Sequence, residues 1–125
     1  GGVAFASPSG NIQCGFSEYG SNTPWWWCLL QSQTVVLPPD PRGACSGTDA
    51  SGAPIAPNGL GVDASDPAAL PVSFCAAAAG SEVLSYGTSL TYRDMACDST
   101  EDGMICRSLV SGHGFRLSRS DYELY

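Results

Sequence analysis

The chain has 125 residues with twelve acids, five arginines and no lysine, for a net charge of −7. That charge excludes a nucleic-acid binder, which needs basic surface to neutralise phosphates, and no apolar run reaches the length of a membrane span. Val, Ile, Leu and Phe together number 24 against 41 for Gly, Pro and Ser, a balance that leans toward disorder, while six cysteines, three tryptophans and five tyrosines favour a folded domain.

From the N-terminus, Phe5 precedes the breaker cluster Ser7-Pro8-Ser9-Gly10. Ile12, Cys14 and Phe16 then alternate with Gln13 and Gly15, the period of a half-buried strand. Residues 20–24 break the pattern before Trp25-Trp26-Trp27-Cys28-Leu29-Leu30, and Thr34 to Leu37 reads as a further strand. Seven prolines crowd residues 38–71, a density that suits neither helix nor central strand. This segment is expected to be a long irregular loop, with ligand contact as the sharper alternative. Strands return at Val72-Ser73-Phe74, Val83-Leu84, Ser89 to Tyr92 and Met104-Ile105-Cys106, the last entered through Glu101-Asp102-Gly103, a hairpin signal. Ala76 to Ala79 has helix propensity, but Gly80 ends it too soon for a stable helix. Ser111-Gly112-His113-Gly114 makes another turn before the alternating Phe115 and Leu117. No stretch sustains a helical period. The expected fold is all-β, a small disulfide-stapled antiparallel sandwich or partly open barrel over residues 1–125 with a proline-rich loop.

The six cysteines, Cys14, Cys28, Cys45, Cys75, Cys97 and Cys106, include no C-x-x-C pair, and the chain has one histidine. Zinc and redox motifs are therefore absent and three disulfides are expected, with no metal and no cofactor. Six cysteines allow fifteen connectivities, and spacing alone does not choose. Nearest-neighbour pairing, Cys14–Cys28, Cys45–Cys75 and Cys97–Cys106, is the expectation because the outer pairs bracket hairpin patterns. Disulfides imply an oxidising compartment, extracellular or at the cell surface. The sequence starts Gly1-Gly2, so an export signal or anchor is expected to have been removed.

Phe5-Ala6-Ser7-Pro8-Ser9-Gly10-Asn11-Ile12-Gln13-Cys14 resembles the F-x-S-P-S-G-N-I-x-C opening of a family of small secreted or lipid-anchored bacterial domains common in actinobacteria. The family's second stretch is matched by Cys97, Cys106, Gly112-His113-Gly114-Phe115, Leu117-Ser118-Arg119 and Tyr122. Ser108 departs from its usual asparagine, and the three tryptophans are no part of the pattern. The resemblance implies an exported domain with three disulfides and transfers no catalytic residue. Turn glycines, cysteines and alternating apolar residues also explain both stretches as a fold signature.

Candidate contact residues are Trp25, Trp26, Trp27, His113, Arg107 and Arg119. Adjacent strand side chains face opposite ways, so at least one tryptophan should leave the core and offer a flat apolar surface to a sugar, lipid or protein. His113 suits a structural turn better than a Ser–His–Asp site, since no G-x-S-x-G elbow is present. Arg107 and Arg119 are expected to project near one another across the last hairpin. Asp98 to Gly103 imitates the start of an EF-hand, but Leu109 stands where the closing glutamate belongs. The expected function is a noncatalytic extracytoplasmic binding module of the bacterial cell envelope, with a glycan, lipid or protein partner. The alternatives are a small secreted hydrolase using His113 or paired acids, and a secreted inhibitor or toxin-like effector.

Overall fold

The computed structural model describes residues 2–17, 25–39, 45, 47–48, 50–52, 55–63, 70–75, 82–92 and 94–125. Residues 20–24 and the alanine run 76–79 lie outside this set, as does Tyr19. Among the described residues there are eleven strands and no helix. β1 (Gly2–Ala6), β2 (Ile12–Ser17), β3 (Trp25–Leu30), β4 (Gly59–Asp63), β5 (Val72–Phe74) and β6 (Glu82–Val83) form one sheet in the order β5-β4-β3-β2-β1-β6. β7 (Ser89–Tyr92), β8 (Met95–Thr100), β9 (Gly103–Ser108), β10 (Gly114–Leu117) and β11 (Tyr122–Leu124) form the other, in the order β11-β10-β9-β8-β7. Every pairing is antiparallel except the short parallel contact of β1 with β6. The fold is a disulfide-stapled β-sandwich.

The core explains which side chains face inward. Register aligns Ile12 with Leu30, Cys14 with Cys28 and Phe16 with Trp26, and this set is buried with Leu60 and Val62 of β4. Met95, Cys97, Met104, Cys106, Phe115 and Leu117 face them from the second sheet. Trp26 stacks on Phe115 at 5.6 Å between ring centroids, so an aromatic pair bridges the layers.

All three nearest-neighbour bridges are present: Cys14–Cys28, Cys45–Cys75 and Cys97–Cys106. The first and last join directly opposed residues of adjacent strands. They meet across the sandwich, where Cys28 Sγ lies 3.5 Å from Cys106 Sγ. Closed as disulfides, these sulfurs offer no thiolate to a metal.

Two local expectations change. The segment 38–71 is not irregular throughout, because Gly59 to Asp63 forms β4 inside the sheet. Its prolines lie outside those five residues, and its glycines sit under aromatic rings. A Cβ on Gly59 would lie 2.6 Å from the Phe74 ring, and one on Gly61 would enter the Trp25 ring. Thr34 to Leu37 forms no ladder although its burial alternates, with Val35 and Leu37 buried and Val36 exposed. Its backbone is held from elsewhere: the amides of Thr34 and Val35 both donate to the Arg119 carbonyl. The Ser73 hydroxyl donates to the carbonyls of Pro38 and Pro39 just beyond it. The stretch is a strap that ties the two sheets together and puts Val35 and Leu37 into the core.

Candidate functional site: a groove at the turn end of the sandwich

The turns β1–β2, β8–β9 and β10–β11 gather at one end of the sandwich around an open groove of about 980 Å³. Ser7, Ser9 and Asn11 come from the first turn, Glu101, Asp102 and Gly103 from the second, and Ser118, Arg119, Ser120 and Asp121 from the third. Tyr86 stands on its lip, and Arg116 and Glu123 complete one wall. Loops clustered at a sandwich end are a common place for recognition, because the sheets hold them rigidly.

Each turn is closed by its own side chains. The Ser7 hydroxyl accepts from the Ile12 amide at 3.1 Å, and the Gly10 amide donates to the Ser7 carbonyl. Asn11 makes a reciprocal pair with the Ser32 backbone: its Nδ2 donates to the carbonyl and its Oδ1 accepts from the amide. Thr100 Oγ1 accepts from the Asp102 amide and donates to the Gly103 carbonyl. Gly103 has φ of 130°, and a Cβ there would lie 2.5 Å from the Leu117 carbonyl oxygen, so only glycine fits. The Ser118 hydroxyl donates to the Asp121 carbonyl at 3.0 Å.

Arg116 ties the second turn to the third. Its guanidinium donates to the Asp102 carbonyl at 3.0 Å, to the Asp121 carboxylate at 2.8 Å and to the Glu123 carboxylate at 3.2 Å. The hydrogen bond from Arg116 holds the Asp121 carboxyl below the usual aspartate range, helped by a backbone hydrogen bond from Tyr122. Because the folded-state value is depressed, this contribution is complete above the unfolded value and is lost as pH falls through the folded one. An NMR titration should place the Asp121 midpoint below the ordinary aspartate value of about 3.9. Arg116→Met should raise that midpoint; an unmoved midpoint would show that the pair does not set it.

The structural ties leave a distinct set of unengaged groups. Among the described residues, the carboxylates of Glu101 and Asp102, the Arg119 guanidinium, the Ser120 hydroxyl and the Tyr86 phenol have no hydrogen-bond or ionic partner. Tyr86 is 48% exposed.

The residues singled out in the sequence are dispersed. Arg119 reaches the groove. Arg107 does not join it: Arg107 pairs with Gly114 at one end of the β9–β10 hairpin, whereas Arg119 lies beyond Leu117 at the other. Instead Arg107 donates to Asp98 at 3.0 Å. His113 sits at that same far end, where its Nδ1 lies 3.3 Å from the Tyr125 main-chain oxygen. No serine hydroxyl or side-chain carboxylate among the described residues hydrogen-bonds the ring, so no triad is assembled around it. Trp26 is 2% exposed and belongs to the core. Trp25 and Trp27 face outward and are half-buried, with Trp25 edge-on to Phe74 at 5.9 Å. The outer face is therefore aromatic, as alternation required, but it is largely covered and separate from the groove.

Sequence reasoning passed over Ser120 and read Glu101 and Asp102 only as part of a hairpin turn. Its one available signal was that both resemblance stretches, residues 5–14 and 112–122, contain turn residues that now face each other across the groove. No curated protein and no solved structure matches the chain. A family match does extend over residues 1–125, and the chain belongs to the family described as Family of unknown function (DUF6636).

Proposed function

We propose that this domain is a noncatalytic, extracytoplasmic binding module that takes its ligand in the groove at the turn end. One observation carries the reading. Turns about a hundred residues apart in sequence converge on a single open groove, each locked by its own hydrogen bonds, with unengaged polar groups left along it. Locked turns lose little freedom when a ligand arrives, which is what preorganised recognition requires.

Three disulfides support residence outside the cytoplasm. Noncatalytic action is supported at Asp121, the groove carboxyl tied to Arg116. A glycosidase proton donor needs a raised pKa, whereas Arg116 holds Asp121 down.

The test uses an array of neutral, aminated and sulfated oligosaccharides, lipid headgroups and peptides, probed with the native chain and with Ser120→Trp. Ser120 is exposed in the third turn, so an indole there fills the groove without entering the core. Binders of the native chain should lose at least tenfold affinity for Ser120→Trp, while the unfolding midpoint stays unchanged. Binders that keep full affinity for the filled groove, or the absence of any binder, would overturn the reading.

A further inference from the structure

From the groups that the fold leaves unengaged, we infer that the groove takes a polyhydroxylated chain without negative charge, a neutral or amine-bearing oligosaccharide. This rests on the groove being the binding site.

Charge gives the first exclusion. Arg116 is already compensated by Asp121 and Glu123 at 2.8 and 3.2 Å. What remains is Arg119 against Glu101 and Asp102, in a chain of net charge −7. A phosphate, sulfate or uronate would meet a surface of its own sign, and recognition of such groups calls for an excess of arginine. An amine or a neutral ligand meets no such penalty.

Apolarity gives the second exclusion. Lipid tails and apolar peptide side chains need an enclosed apolar pocket. Here the aliphatic lining consists of Ile12, which is 7% exposed, and the half-buried Ile105. The groove is open, and its exposed aromatic is a single tyrosine.

The remaining groups suit sugars positively. A sugar hydroxyl both donates and accepts. Asp102 and Glu101 accept, Arg119 donates through a rigid fork, and Ser120 does both. The Tyr86 ring supplies a flat face for the C–H side of a pyranose, and its phenol supplies a polar edge. Because the turns beneath these groups are fixed by Ser7, Thr100, Ser118 and Arg116, the binding groups can be changed without unlocking the fold.

The experiment measures binding of three tetrasaccharides by NMR titration: the N-acetylglucosamine tetramer, its fully deacetylated form and a sulfated heparin tetramer. The native chain, Asp102→Asn, Arg119→Ala and Ser120→Trp are compared, with unfolding midpoints as the control for folding. The neutral or the deacetylated tetramer should shift groove resonances saturably, and Ser120→Trp should abolish this. Asp102→Asn should weaken the deacetylated tetramer at least fivefold, more than it weakens the neutral one, and added salt should do the same. Arg119→Ala should weaken both sugars. If the sulfated tetramer binds best and Ser120→Trp blocks it, the charge argument is overturned while the groove remains the site. If no tetramer binds but an array peptide is blocked by Ser120→Trp, the sugar assignment falls and the groove again stands.

Discussion

Replacing Cys14 and Cys28 together by alanine should cost about 4 kcal/mol of unfolding free energy. The chain-entropy effect of opening a loop with a sequence separation of 14 residues is about 3 kcal/mol. The void left where Cys28 Sγ touches Cys106 Sγ adds roughly 1 kcal/mol. The corresponding serine pair should be worse still. Cys14 and Cys28 are 1% and 0% exposed, and each buried hydroxyl without a partner costs a further 1–3 kcal/mol or so. Urea unfolding of the three proteins measures the order directly. Serine and alanine pairs of equal stability would show that water or backbone reaches this part of the core, contrary to its burial. A loss under about 1 kcal/mol for the alanine pair would show that the bridge constrains little.

Trp26→Ala should destabilise by about 3–5 kcal/mol, the usual range for a buried aromatic truncated to alanine. Trp26 is 2% exposed, lies on Phe115 and occupies the inward position opposite Phe16. Its neighbour Trp27 points to the other face, beside Gly15 and Gly61, and Trp27→Ala should cost about 1 kcal/mol, in keeping with a half-buried position outside the core. If Trp26→Ala fails to fold, Trp26→Phe keeps a ring against Phe115 and should remain folded with a smaller loss. Denaturation curves that rank Trp27 above Trp26 would reverse the assignment of faces and with it the register of β3.

The strands were largely legible because they are written as local alternation. Ile12-Gln13-Cys14-Gly15-Phe16 and Phe115-Arg116-Leu117 form β2 and β10 with the expected faces inward. β4 was missed because its sequence, Gly-Leu-Gly-Val-Asp, resembles loop composition. Its glycines are required by the rings of Phe74 and Trp25 that lie over them, and those rings come from other strands. The strap at Thr34–Leu37 reads as a strand for the complementary reason. Its burial alternates, but its backbone hydrogen bonds go to Arg119, far along the chain.

The candidate site was legible only in pieces. Arg119 was singled out, yet its expected companion Arg107 points away from it, because antiparallel pairing places Gly114 and Leu117 at opposite ends of β10. The tryptophan run announced itself by composition, and the structure gives it one core ring and two rings on an outer face away from the groove.

Among fifteen possible cysteine pairings the structure chose nearest neighbours, while the sequence by itself determined an all-β chain and its main turns. These depend on residues close in the chain, where alternation and turn chemistry act. Only the tertiary structure decided that two bridges touch, which tryptophan is buried, and that the turns around Ser9, Asp102 and Ser120 share one groove. Those outcomes depend on packing one sheet against another, and contacts between residues a hundred positions apart leave no periodic trace in either segment.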